Sequence, residues 1–346
     1  MDIAIIAPPW VPVPAPAYGG TEAVLDTLAR GLQAAGHQVL LICHPESSCP
    51  VPKASVIPVE DTLRMGRASI ELENVVGAYE LAKGSDVVHD NTIAGPMYSA
   101  RFPNIPVVTT NHQPFNRTYN AVYGAALPRV ALVAISHSHA ASTPLAVDAV
   151  VHHGIDVADY PFGAGDGGYV ALLGRMTKNK GVHRAIAIAK AAGVPLKIAA
   201  KMREPHEREY FETFVEPHLG DGVEYLGEVG AEAKRELLAS AAALLNPISW
   251  REPFGMVMLE SLACGTPVVG SPQGAAPEIV EHGLTGFLSD DDDELAACLR
   301  SVGQIDRTTC RQAVADRFSV EQMVAGYVEV YERTRRRQPA AAAASS

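Results

Sequence analysis

The sequence is poor in everything that would staple a chain or anchor it. Its five cysteines, Cys43, Cys49, Cys264, Cys298 and Cys310, form no CxxC pair, no metal-ligand spacing and no even disulfide framework. That excludes a zinc ribbon or a disulfide scaffold and predicts reduced, mostly buried thiols. No stretch reaches the roughly 20 apolar residues that a bilayer-spanning helix needs. The start, MDIAIIAPPW, has an acid early and breaks off at Pro8, without the basic opening or the length of a signal peptide, so a soluble, cytoplasmic chain is expected. Cations are also in the minority. The 28 Lys and Arg against 39 Asp and Glu leave a formal net charge of -11, which excludes the evenly basic surface of a nucleic-acid binder and leaves only a local cationic pocket open.

What is present is regular α/β material. With 346 residues, the chain exceeds what one core usually holds, so two domains are expected. In the first half, DIAIIAP (2–8), an amphipathic stretch from Thr21 to about Ala35 and HQVLLIC (37–43) read as a βαβ opening. DVVHD (86–90), PVVTTN (106–111) and VALVAIS (130–136) are apolar without strict alternation, as parallel strands covered on both faces are. A second alternation follows the Gly- and Pro-rich connection PFGAGDGG (161–168). Its strands are YVALLG (169–174), PLKIAA (195–200), VEYLG (223–227), ALLNP (243–247), PVVGS (267–271) and GFLS (286–289). Helices are expected at about 181–192, 206–218, 231–242 and 277–282. The expected organisation is a Rossmann-like domain over 1–162, a second over 163–318, a helix over 319–337 that crosses back to the first domain, and a disordered tail over 338–346. Such sheets bind ligands at the carboxyl ends of their strands, so a cleft between the two domains is the expected site.

Three stretches carry candidate chemistry. In REPFGMVMLE (251–260), Pro253 suits the first turn of a helix and Gly255 bares the backbone. A helix starting there aims amides and a partial positive charge at a ligand. On a helical rise Glu260 lies about 9 Å beyond Glu252, too far for a shared-proton pair. The two acids read either as clamps on vicinal hydroxyls or as a cap and a solvated face residue. In LLGRMTKNKG (172–181), Arg175 and Lys180 flank a turn after a strand and suit a diphosphate that gains charge as it leaves, or else simply a polar surface loop. In AYGGTEAV (17–24), Gly19 and Gly20 allow close backbone approach to a phosphate or sugar, with Thr21 as N-cap. This stretch after the first strand holds no G-x-G-x-x-G, which disfavours a dehydrogenase.

His112, at the end of a strand in TTNHQPFN, is a candidate for contact with a sugar hydroxyl or for proton handling. His89 reads as packing beside Asp90. The run SDDDDE (289–294) reads as Ser289 or Asp290 capping a helix rather than as a metal site. RTRRR (333–337) suits a helix C-terminus, with at most peripheral contact to an anionic membrane.

Taken together, E-P-F-G-x-x-x-x-E (252–260), SLACGTPVVGS, GAAPEIVEHGLTGFL (274–288), GGTE, HHGIDVADY (152–160) and G-R-x-x-x-x-K-G (174–181) resemble the retaining GT-B glycosyltransferases of family 4, and the resemblance covers almost the whole chain. It implies a GT-B fold and transfer of a hexose or related sugar from a UDP-sugar, or second a GDP-sugar, to a hydroxyl of a small-molecule, glycan or lipid acceptor, with no cofactor and no metal. By the same resemblance Glu260 binds the ribose hydroxyls and Glu252 the transferred sugar. Arg175 and Lys180 neutralise the diphosphate, with Gly20 and the amides of Phe254, Gly255, Met256 and Val257. His112 lies near the sugar, and Gly227, Glu228 and Val229 meet the base. His153 replaces the family's usual Asn, and Gln113 stands where an Asp is common. The alternatives are a sugar-nucleotide epimerase of the same fold and a non-catalytic nucleotide-sugar-binding protein. An epimerase would form product from the donor alone.

Overall fold

The computed structural model describes residues 1–17 and 19–343, without the side chains of Glu60 and of residues 338–343. The chain divides into two compact units, one of Met1–Gly154 with the segment from Val320 onward, the other Ile155–Ser319. The division falls at 154/155, ahead of the Gly- and Pro-rich connection that suggested 162/163. Ile155 belongs with the second unit because its amide bonds the Phe318 carbonyl at 3.0 Å.

The first unit holds β1 (Asp2–Ile6), β2 (Gln38–Ile42), β3 (Lys53–Ala54), β4 (Val87–Asp90), β5 (Val107–Thr110), β6 (Ala131–Ala134) and β7 (Ala149–Val150). All pair in parallel, in the order β3-β2-β1-β4-β5-β6-β7. Every residue of β4, β5 and β6 is buried, which is why these runs lack alternation. The helix Gly20–Ala34 buries Val24, Leu25, Leu28, Ala29 and Leu32, one face at helical spacing. Its N-cap is Gly19, so Thr21 lies inside the helix and does not cap it.

The helix Val320–Ala343 belongs to this unit. It places Tyr327 and Tyr331, both buried, against the His89 ring on β4, with centroids at 4.7 and 5.7 Å. It runs through 338–343, the first part of the tail that the sequence marks as disordered; residues 344–346 of that tail lie outside the described residues.

The second unit holds β8 (Val170–Arg175), β9 (Leu196–Lys201), β10 (Val223–Gly227), β11 (Leu244–Asn246), β12 (Val268–Gly270) and β13 (Gly286–Leu288), all parallel, in the order β10-β9-β8-β11-β12-β13. Its core packs Val170, Leu172, Ile198, Leu245 and Val269 of the sheet against Val182, Ile186 and Ala189 of the helix Val182–Ala192 and Leu295 and Leu299 of the helix Asp292–Ser301. The acidic run caps that last helix through Asp291, whose carboxylate accepts from Asp293 N and Glu294 N, rather than through Ser289 or Asp290. Asp292 then pairs with Arg184 at 2.5 Å.

Candidate active site

In the second unit the chain order runs outward one way from β8 and the other way from β11. The loops after these neighbouring strands therefore diverge and leave a hollow at their carboxyl ends, the switch point where open α/β sheets take ligands. Those two loops carry Arg175, Lys180 and Glu252.

Arg175 ends β8, and a 3-10 turn, Lys178–Lys180, follows it. Gly181 then sits at φ 72°, where a Cβ would stand 2.1 Å from the Pro247 carbonyl oxygen. Only glycine lets the loop after β11 lie this close. Ser249 N donates to Asn179 O at 3.0 Å, which stitches the two loops together. Across the seam Lys180 Nζ donates to Glu252 Oε2 at 2.5 Å, the side chains 10% and 16% exposed. The lysine stem runs along Gly174, and its ammonium lies 5.4 Å from the centre of the Trp250 ring, a cation–π distance. The half-buried Arg175 guanidinium has no hydrogen-bond or ion-pair partner among the described residues.

Glu252 is held by its backbone as well. Its N–H donates to Trp250 O at 3.0 Å and its carbonyl accepts from Ala275 N at 3.1 Å. Gly274, at φ 63°, crosses so close that a Cβ would lie 2.2 Å from Glu252 O and 2.4 Å from its N. Three loops thus set the position of one carboxylate.

The helix begins later than the sequence suggested. It spans Met256–Ala263 with Gly255 as N-cap at φ 101°, so Pro253 precedes it and Glu252 stands in the loop ahead of it. The 9 Å helical offset between the two glutamates does not apply. The amides of Met256 and Val257 are at the helix start, where no intrahelical acceptor exists for them. Phe254 contributes a packing side chain, 2% exposed and 6.1 Å from Phe318 between ring centres.

Glu260 lies within the helix and is 10% exposed, so it is not a solvated face residue. Its Oε1 accepts from Lys234 Nζ at 2.5 Å and from the Tyr160 hydroxyl at 3.5 Å. Burial first, and Glu260 second, push the Tyr160 hydroxyl's pKa far up, so it stays a donor. Arg311 ties the segment down by donating to Tyr160 O at 2.7 Å, Ala263 O at 2.6 Å and Val157 O at 2.8 Å. Lys234 and Tyr160 escaped sequence reasoning. In AEAKRELL a lysine has the pattern of the solvated face of an amphipathic helix, and nothing local marks it otherwise.

At the end of β10, Gly227 sits at φ 77° beside a register shift between Tyr225 and Gly227. Glu228 takes both its oxygens to Arg203, at 2.6 and 3.0 Å, and Val229 is half-buried.

The remaining candidates lie in the first unit. Gly19 is extended, and a Cβ on it would stand 2.4 Å from Ala15 Cβ, whereas Gly20 has open space. His112 Nε2 donates to Asn91 Oδ1 at 2.9 Å, its Nδ1 is buried without a partner, and its ring stacks on His153 at 5.3 Å. Burial, with His139 nearby, holds its pKa down at about 3, so the imidazole is neutral. His89 bonds Thr110 Oγ1 and the Tyr331 hydroxyl, each at 2.8 Å, rather than Asp90. Asp90 instead accepts from the Tyr79 hydroxyl and from Thr92 N and Oγ1, all at 2.8 Å. The arginines of RTRRR are engaged: Arg335 with Asp86, Arg336 with Glu332, and Arg337 with Asp148. Among the described residues no helix is long and apolar enough to cross a membrane.

Residues 167–304 match the family described as glycosyl transferases group 1, and residues 18–159 match glycosyltransferase family 4. Over 98% of this chain and 97% of the relative, the sequence is 28% identical to a glycogen synthase of Mycobacterium tuberculosis. The structure of AviGT4, a glycosyltransferase involved in avilamycin A biosynthesis, superposes with a TM-score of 0.72 at 26% identity, covering 97% of this chain and 98% of that one. Anabaena HepE, solved with UDP and glucose, superposes with a TM-score of 0.76 at 20% identity, covering 96% and 99%. Fold and matches together define an enzyme that transfers glycosyl groups, with two Rossmann-like domains of the GT-B type. The chain belongs to glycosyltransferase family 4, the group 1 glycosyltransferases.

Proposed function

We propose that the chain moves a hexose from a nucleoside-diphosphate sugar, UDP-linked before GDP-linked, to an acceptor hydroxyl with retention of anomeric configuration and without a metal at the leaving group. The observation that carries this reading is the buried Lys180–Glu252 pair at the β8/β11 switch point, with the Arg175 guanidinium at the end of β8 having no partner among the described residues. Two cations and the amides of Met256 and Val257 offer an anion site whose charge is set in place before reaction, the arrangement that best stabilises a departing diphosphate. In the step itself the bond from the anomeric carbon to the diphosphate oxygen breaks. The acceptor oxygen bonds the same carbon on the same face, and its proton passes to the departing diphosphate. Glu252 holds hydroxyls of the transferred sugar, and Glu260 those of the ribose. Preference for UDP is supported by the HepE complex with UDP and glucose. His112, held neutral with one ring nitrogen unsatisfied, is the proposed partner for a hydroxyl or a proton.

Calorimetric titration with UDP, GDP and ADP in the presence of EDTA tests the reading. One nucleotide is expected to bind clearly without metal. Glu260→Ala and Arg175→Ala should each weaken it by at least about 1 kcal/mol, the scale of a lost charge-assisted bond. Glu252→Ala should reduce turnover far more than nucleotide affinity. Loss of all binding in EDTA, or equal losses of turnover and affinity at Glu252, would overturn the assignment.

A further inference from the structure

The carboxylate of Glu260 is used unevenly. Oε1 carries both described donors, Lys234 Nζ at 2.5 Å and the Tyr160 hydroxyl at 3.5 Å. Oε2 has no partner among the described residues and keeps some solvent exposure, so it is open to a ligand. The ion pair is a poor stabiliser in itself: the lysine is 29% exposed, and partly exposed pairs are worth little. Its geometric effect is larger. A carboxylate on a two-torsion stem can swing, and pinning one oxygen from a neighbouring helix removes that freedom. Lys234 sits in the first turn and a half of the helix Ala231–Ser240, which starts directly after the Gly227–Gly230 loop.

We propose that Lys234 is a positioning residue that, together with Tyr160, holds Oε1 of Glu260 so that Oε2 faces the ribose hydroxyls, and that Lys234 thereby sets discrimination between ribose and 2′-deoxyribose nucleotides. This rests on the assignment of Glu260 to the ribose made above. A vicinal diol donates to a carboxylate in a narrow geometry, whereas a 2′-deoxyribose offers one donor fewer and tolerates a mobile acceptor. A cation that merely attracted the diphosphate would strengthen binding of both nucleotides alike.

The test is titration calorimetry on the full chain with UDP, 2′-deoxy-UDP, GDP and 2′-deoxy-GDP, for wild type, Lys234→Met, Lys234→Arg, Tyr160→Phe and Glu260→Ala, with thermal unfolding of each variant as the check on folding. The wild type is expected to prefer the ribonucleotide by about tenfold, the scale of one charge-assisted hydrogen bond. Lys234→Met should bring that ratio near one, chiefly by weakening the ribonucleotide, while Lys234→Arg keeps most of it and Tyr160→Phe lowers it partly. Glu260→Ala should abolish it. If Lys234→Met weakens ribo- and deoxynucleotides equally, or neither, while Glu260→Ala still abolishes the preference, the inference on Lys234 fails and the ribose assignment stands. If Glu260→Ala leaves the preference intact, or if wild type shows none, the ribose assignment itself fails and takes the inference with it.

Discussion

At the scale of single residues, the histidines of the first unit have a thermodynamic consequence. His89 is fully buried between Thr110 and Tyr331, and burial holds its pKa at about 3. His139, against the Gln113 carbonyl and the Phe115 ring, is held at about 4. In both the folded value lies below the ordinary 6.5, so the unfolded chain takes up protons that the folded chain refuses. Their contribution to stability is whole above the unfolded value and is lost as pH falls from about 6.5 toward 3, at up to about 1.4 kcal/mol per pH unit for each group. Asp90 works in the opposite direction: burial raises it to about 6, so its folded form gains stability as pH falls through that value. The histidines outnumber it. Denaturant titrations at pH 7 and pH 4.5 should therefore show marked destabilisation at the lower pH, and His89→Gln should reduce that dependence by about one proton. A stability flat across this range would contradict the burial of these rings.

At the scale of elements, the site depends on backbone crossings more than on helices. Gly274→Ala drives a Cβ into the Glu252 backbone at a left-handed φ, which should cost about 1–3 kcal/mol in stability and lower kcat by displacing the carboxylate. Gly303→Ala, where a Cβ meets open space, is the control and should do neither; calorimetry and steady-state rates separate the two. The same crossings explain how far the sequence could be read. The long strands were legible because apolar runs covered on both faces leave a plain mark. Two-residue edge strands such as β3 and β7 leave none, since pairing alone defines them. Arg175, Lys180 and Glu252 were legible as candidates because each follows a recognisable strand. The start of the helix after Glu252 was misplaced because Gly255 takes a left-handed turn that keeps Pro253 out of it. Lys234 was hidden because its partner lies on another helix, and no local pattern records such a pairing.

At the scale of the whole molecule, the two units share one winding, with the sheet order reversing at β1/β4 in the first and at β8/β11 in the second. They differ in continuity. The second is a single stretch, Ile155–Ser319, while the first needs the helix that begins at Val320. A chain ended after Ser319 loses Tyr327 and Tyr331 from the first core and uncovers His89 and Thr110. Limited proteolysis of that truncation should degrade 1–154 rapidly while a fragment near 155–319 survives. Equal survival of both would show that the helix is dispensable. The same discontinuity reverses the usual order of events on the ribosome, where domains tend to complete themselves from the amino end. The sheet translated first must wait, with its polar core positions still wet, for a segment made after the later sheet. The half of the enzyme born second is thus able to mature before the half born first.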